Sequence, residues 1–116
     1  ETLNVIGDVR GKAALTFDDE ILTGGTTVNA GQALLNCGVT QVYCCATHPV
    51  FARRAYEVIA DSSFAEVVVT DTLPLAGGQP CDKVKVLSIA PLLGEAIRRI
   101  HRGQSVGALF GHHRGQ

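Results

Sequence analysis

Apolar positions along this chain fall into two patterns, short unbroken runs and stretches with a period near 3.6. "KAALTF" (12–17) is a short apolar run that stops at two carboxylates, and it reads as a buried strand. Between Thr26 and Cys37 the apolar positions Ala30, Ala33, Leu34 and Cys37 lie at i, i+3, i+4 and i+7, one face of a helix, and Gly38 is a natural C-terminal stop. "QVYCCAT" (41–47) is a second strand. Phe51, Ala55, Val58 and Ile59 return to helical spacing. "EVVVTD" (66–71) is a third strand, nearly all Val, as expected where both faces are covered. "TLPLAGGQPCD" (72–82) has two Pro, two Gly and no period, and reads as a loop. "KVKVLSI" (83–89) is a fourth strand. Pro91 starts a last helix whose stripe is Leu92, Leu93, Ala96, Ile97 and Ile100, with Arg98, Arg99 and Arg102 near its end, favourable for the helix dipole. The tail "GALFGHHRGQ" carries little pattern.

Strand, helix, strand, helix, strand, strand, helix is an α/β arrangement with a mainly parallel sheet flanked by helices. In such sheets ligands bind beyond the carboxyl ends of the strands. At 116 residues the chain is one domain. It is 46% hydrophobic but has no Met or Trp and only 5% aromatics, so small and β-branched residues must build its core. A net charge of −1 gives no bulk attraction to nucleic acid or membrane, and no apolar run approaches the roughly 18–20 residues of a membrane span. The chain opens at Glu1 and reads as part of a longer protein. Cys37, Cys44, Cys45 and Cys81 form no CxxC pair, and their spacing suits neither a zinc site nor a disulfide framework. They read as reduced, mostly buried thiols of a cytoplasmic protein.

One stretch carries chemistry. "LTFDDEILTGGTT" (15–27) sets an acidic pair, Asp18-Asp19, at a strand end, followed by Thr23-Gly24-Gly25-Thr26 leading into a helix. Glycines let backbone N–H groups turn toward a ligand, the helix N-terminus adds roughly half a positive charge, and two Thr hydroxyls add donors. This is a phosphate cradle without the lysine of the GxxxxGK(S/T) loop. The carboxylates do not suit a phosphate. They suit neutral hydroxyls, or a divalent ion held with them. A ligand with a phosphate at one end and vicinal hydroxyls at the other satisfies both halves, and ribose 5-phosphate is such a ligand. The plainer reading is a solvated strand end, a Gly-Gly turn and Thr26 as a helix N-cap.

The acidic pair followed by T-G-G-T resembles the phosphoribosyl-binding signature of type I phosphoribosyltransferases. "VYCCATHPVFARRA", "EVVVTDTLPL" and "KVKVLSIAPLLGEAIRRIHRGQSVGALF" are similar to the C-terminal part of the ribose-phosphate pyrophosphokinases, and the likeness covers nearly all of residues 5 to 110. That family makes phosphoribosyl pyrophosphate by transferring the β,γ-pyrophosphoryl group of ATP to the 1-hydroxyl of ribose 5-phosphate, with Mg2+. The resemblance implies a C-terminal phosphoribosyltransferase-like domain over residues 1–116, with the upstream domain and the start of this domain absent. It implies that Asp18 and Asp19 bind the ribose 2- and 3-hydroxyls, and that Leu22, Thr23, Gly24, Gly25 and Thr26 bind the 5-phosphate.

The family's ATP site, Mg2+ ligands, pyrophosphate loop and mobile Lys/Arg loop lie upstream of where this chain begins. The resemblance therefore implies no catalytic residue and no metal ligand here, and no activity of this part alone. It also implies a hexamer for the full-length enzyme. Leu22 stands where Asp or Ser is common, and Glu20 where an apolar residue is usual. Ser105 matches one hydroxyl of the family's allosteric phosphate site, while Gly107 stands where a second Ser is common. The alternative readings are a non-catalytic regulatory homologue that assembles with the enzyme, or another phosphoribosyltransferase.

Of the remaining polar residues, His48 reads as a polar residue closing a strand end, with a nucleotide or subunit contact as its functional alternative. Asp71 and Thr72 either line the ligand edge or cap their strand. Arg53-Arg54 read as a solvated helix face. His112-His113 are too short a pair to argue for metal.

Overall fold

The computed structural model describes residues 5–52, 54–75 and 81–110. Four strands, β1 (Ala13–Ile21), β2 (Gln41–Pro49), β3 (Glu66–Thr70) and β4 (Val84–Leu87), form one sheet in the order β1-β2-β3-β4, every pair parallel. The helices are α1 (Gly25–Asn36), α2 (Ala55–Ala60) and α3 (Ala90–His101), followed by a short 3-10 turn at Gly107–Phe110. The α/β class and the parallel sheet stand as expected.

The core is built from one face of the sheet and the helices on it. Val42, Cys44 and Ala46 of β2, with Val67 and Val69 of β3, alternate inward and are buried. Ile59, Ala55, Phe51 and Phe64 close over them. Each large apolar side chain fully buried here contributes about 1.5–3 kcal/mol. α1 turns Val28, Gly31, Leu34 and Leu35 toward this layer. That stripe differs from the expected one, since Cys37 is exposed at the C-cap. Gly31 is buried because Phe64 lies against it; a Cβ there would stand 2.8 Å from the Phe64 Cζ. Gly38 does end the helix, at φ 93°, donating its N–H to the Leu35 carbonyl at 2.9 Å.

Several boundaries differ from the sequence reading. β1 does not stop at Phe17. It runs through the acidic residues to the buried Ile21, because β2 continues beside it, with Asp18 paired to Ala46, Glu20 to His48 and Ile21 to Pro49. α2 begins only at Ala55. Phe51 precedes it at φ 42°, and its N–H and that of Ala52 bond to the carbonyls of Ile21 and Leu22 (3.0 and 2.7 Å) instead of entering a helix. β4 ends at Leu87, since Ser88 and Ile89 turn into α3. The expected loop lies within 72–82, and its residues 76–80, like Arg53 and His112-His113, fall outside the described residues.

β3 is not covered on both faces. The face opposite α1 and α2 carries the exposed Leu15, Phe17 and Leu87; Phe17 and Leu87 border an apolar hollow of about 250 Å³ that also touches Cys45 and Val68. The α3 stripe forms as a helix, but none of its residues is buried. Of the four cysteines only Cys44 is buried; Cys45 and Cys81 are half-buried and Cys37 is exposed, so "mostly buried" does not hold. All four are free thiols.

Candidate functional site

The carboxyl ends of β1, β2 and β3 lie side by side, and each ends in polar residues. β1 brings Asp18, Asp19 and Glu20; β2 brings Thr47 and His48; β3 leads to Thr70, Asp71 and Thr72. A cleft of about 320 Å³ opens between the end of β1 and the start of α1. Asp18, Asp19 and Glu20 line it from the strand; Leu22, Thr23, Gly24, Thr26 and Thr27 line it from the loop and first turn.

The structure therefore brings together six of the seven residues expected to hold ribose 5-phosphate. Gly25 is not among those lining the cleft. Thr27 was not expected there, and Glu20, whose facing the sequence left open, also lines the cleft. The signal for Glu20 was its place in an unbroken acidic run, which the reading of β1 as ending at Phe17 obscured.

Gly24, not Thr26, is the helix N-cap. It sits at φ 82°, in the left-handed region, with no side-chain cap. A side chain there would be strained, and its Cβ would come within 3.4 Å of Val58 on α2. The first bond of α1 runs from the Val28 N–H to the Gly24 carbonyl at 2.9 Å. The N–H groups of Gly25, Thr26 and Thr27 precede it, and a helix presents such groups, with its positive end, to an anion.

The acidic end is internally ordered. The Asp19 N–H donates to Asp18 Oδ1 at 2.9 Å, and the Glu20 N–H to Asp19 Oδ1 at 3.1 Å. The Asp19 carboxyl is held below the usual carboxylate range, first by its side-chain hydrogen bond with Asp18, then by backbone N–H groups, with a smaller contribution from His48. An ionised carboxylate only accepts hydrogen bonds, so this end of the cleft suits hydroxyl donors. Among the described residues, no group of three or more His, Cys, Asp or Glu is placed to hold a metal ion.

Around the cleft, Thr70 and Thr72 both donate their hydroxyls to the Thr47 carbonyl (2.6 and 3.2 Å), and His48 Nδ1 lies 2.9 Å from Thr72 Oγ1. Asp71 is engaged elsewhere. Its Oδ1 accepts the Ile89 N–H at 2.9 Å, which anchors the start of α3, and the hydrogen bonds from Ser88 and Ile89 lower its pKa. Ser105 lies between α3 and the 3-10 turn, away from the cleft lining, where its carbonyl accepts from Arg99 at 3.0 Å. No helix among the described residues is long and apolar enough to cross a membrane.

A family model described as the phosphoribosyl synthetase-associated domain matches residues 1–111. Ribose-phosphate pyrophosphokinases of Caldanaerobacter subterraneus subsp. tengcongensis and Gloeobacter violaceus are 52% and 48% identical to this chain over 110 residues, which are 95% of this chain and 35% and 33% of theirs. The crystal structure of phosphoribosylpyrophosphate synthetase from Mycobacterium smegmatis superposes with a TM-score of 0.79 at 40% identity, covering 84% of this chain and 33% of that one. The chain spans about a third of the length of the curated relatives it matches.

Proposed function

The chain belongs to the phosphoribosyl synthetase-associated family, and from that premise we propose that it is the ribose-5-phosphate-binding part of a ribose-phosphate pyrophosphokinase. Residues 1–116 are then the C-terminal phosphoribosyltransferase-like domain of that enzyme. The observation that carries the reading is the cleft itself, in which carboxylates and an uncapped helix N-terminus face one space of about 320 Å³.

Asp18 and Asp19 accept hydrogen bonds from the ribose 2- and 3-hydroxyls. Backbone N–H groups at the start of α1, with the Thr23 and Thr26 hydroxyls, hold the 5-phosphate. Gly25 serves through its N–H, which needs no side chain in the lining. Leu22 contributes backbone only, and its carbonyl is already fixed by Ala52. Fixing both ends of the sugar presents its 1-hydroxyl in one orientation. In the reaction that oxygen bonds to the β-phosphorus of ATP, the bond from that phosphorus to the α–β bridging oxygen breaks, AMP leaves, and the hydroxyl proton is released. This chain supplies positioning, which in reactions of this kind can account for a large share of the barrier lowering. Mg2+ accompanies ATP in this reading; the residues described here do not fit a resident metal, and no step is assigned to one. A hexamer, a cytoplasmic location and an anion contact at Ser105 belong to the same reading.

Titration of the chain with ribose 5-phosphate by calorimetry tests it. Saturable binding that the Asp18→Asn/Asp19→Asn variant weakens at least tenfold, with its circular dichroism unchanged, is the expected result. Equal binding by the two proteins refutes the assignment of the hydroxyl site.

A further inference from the structure

The hydrogen bonds at the end of β2 decide which nitrogen of His48 is committed to the protein. The Thr72 hydroxyl oxygen lies 3.2 Å from the Thr47 carbonyl and 2.9 Å from His48 Nδ1. With its one proton on the Thr47 carbonyl, the hydroxyl accepts from His48, and Nδ1 is the donor. A neutral ring then carries its lone pair on Nε2, and no described residue donates to it.

The ring is exposed, so it is not a packing residue. Its strand neighbour in the register is Glu20, which lines the cleft, and adjacent strands run about 4.8 Å apart. A histidine held through Nδ1, next in the sheet to Glu20 of the cleft lining and with Nε2 uncommitted, has the form of a further acceptor at the acidic end of the cleft.

We propose that His48 contacts the sugar of the bound ligand, with Nε2 accepting a hydrogen bond from a hydroxyl beside those held by Asp18 and Asp19, and with Thr72 fixing the ring's tautomer and direction. This rests on the sugar-phosphate reading of the cleft.

Two substitutions separate the ring's two nitrogens. In His48→Asn the short amide can keep the bond to Thr72 but cannot reach the Nε2 position. In His48→Gln the longer side chain brings an amide oxygen near that position and gives up the Thr72 bond. Calorimetric titration with ribose 5-phosphate, and separately with inorganic phosphate, compares both with the unsubstituted chain and with Asp18→Asn/Asp19→Asn. The expected result is an affinity for ribose 5-phosphate lowered about 3- to 10-fold in His48→Asn, the loss of one hydrogen bond, and largely restored in His48→Gln. Inorganic phosphate, which has no sugar, binds all His48 forms alike. The reverse order, with Asn retaining affinity and Gln losing it, makes His48 a structural tie to Thr72 and overturns the proposal. Unchanged affinity in both His48 variants, with binding lost in the acidic-pair variant, overturns it while leaving the cleft reading intact. No ribose 5-phosphate binding by the unsubstituted chain, or equal binding by the acidic-pair variant, removes that reading and the proposal with it.

Discussion

Gly31→Ala sets two effects of comparable size against each other. Alanine in a helix interior is favoured over glycine by about 0.8–1 kcal/mol. At this position, however, the new Cβ would stand 2.8 Å from Phe64 Cζ and 2.9 Å from Cε1. Carbon atoms attract best at about 3.5–4.0 Å, so the overlap is roughly 0.7–1 Å. Phe64 is 4% exposed and has little room to retreat. Overpacking of this kind costs about 1–3 kcal/mol. The two combine to a net destabilisation of about 1 kcal/mol. Urea denaturation reads it as a fall in midpoint of roughly 0.5–1 M with an unchanged slope. The control is Phe64→Leu, which removes the ring atoms that collide. In that background Gly31→Ala is expected to stabilise, and the double-mutant cycle to give a coupling of about 1–3 kcal/mol. If the substitution stabilises the chain with Phe64 present, or costs the same in both backgrounds, packing against Phe64 does not decide the outcome and the reasoning fails. The consequence reaches the cleft, because the first turn of α1 lines it.

Gly24→Ala should destabilise by about 1–2 kcal/mol, the cost of a left-handed conformation for a residue with a Cβ, and weaken ribose 5-phosphate more than Gly25→Ala does; calorimetry on both variants checks the order. Glu95 is held at a pKa of about 2, against an ordinary value of 4.5, first by its hydrogen bond with Arg98 and then by that with Arg99. A lowered folded-state pKa means stability that is present above about pH 4.5 and lost as pH falls through 2. Helicity of α3, followed by NMR between pH 6 and 2, should therefore decline over that window. Glu95→Gln should be less helical at pH 6 and lack that decline, and an identical pH response in both proteins would contradict the assignment.

Much of this molecule was legible from local pattern. Each predicted strand and helix exists, because residue periodicity and turn chemistry act over a few positions and need no knowledge of the partner. The acidic pair and the T-G-G-T turn were visible for the same reason, since a strand end, a glycine turn and a helix start are contiguous in the chain. The family resemblance lay in the same contiguous motifs.

What neighbouring strands decide was not legible. β1 runs on through Asp18–Glu20 because β2 pairs with it there, and that pairing puts Glu20 in the cleft beside Asp19. Whether Thr26 or Gly24 caps α1 depends on the φ angle that the turn adopts against Val58 and Ile59 of α2. Asp71 and Thr72 are neighbours with the same apparent prospects, yet one anchors α3 through Ile89 and the other orients His48, 24 residues earlier. The all-Val strand looked doubly covered, because a sequence shows that a side chain is apolar but not which layer lies against it. The amino-acid sequence by itself determined which elements form and which chemistry stands at the end of the first strand. Only the tertiary structure decided which polar groups share one space, because hydrogen bonds across strands and helices join residues that no local pattern relates.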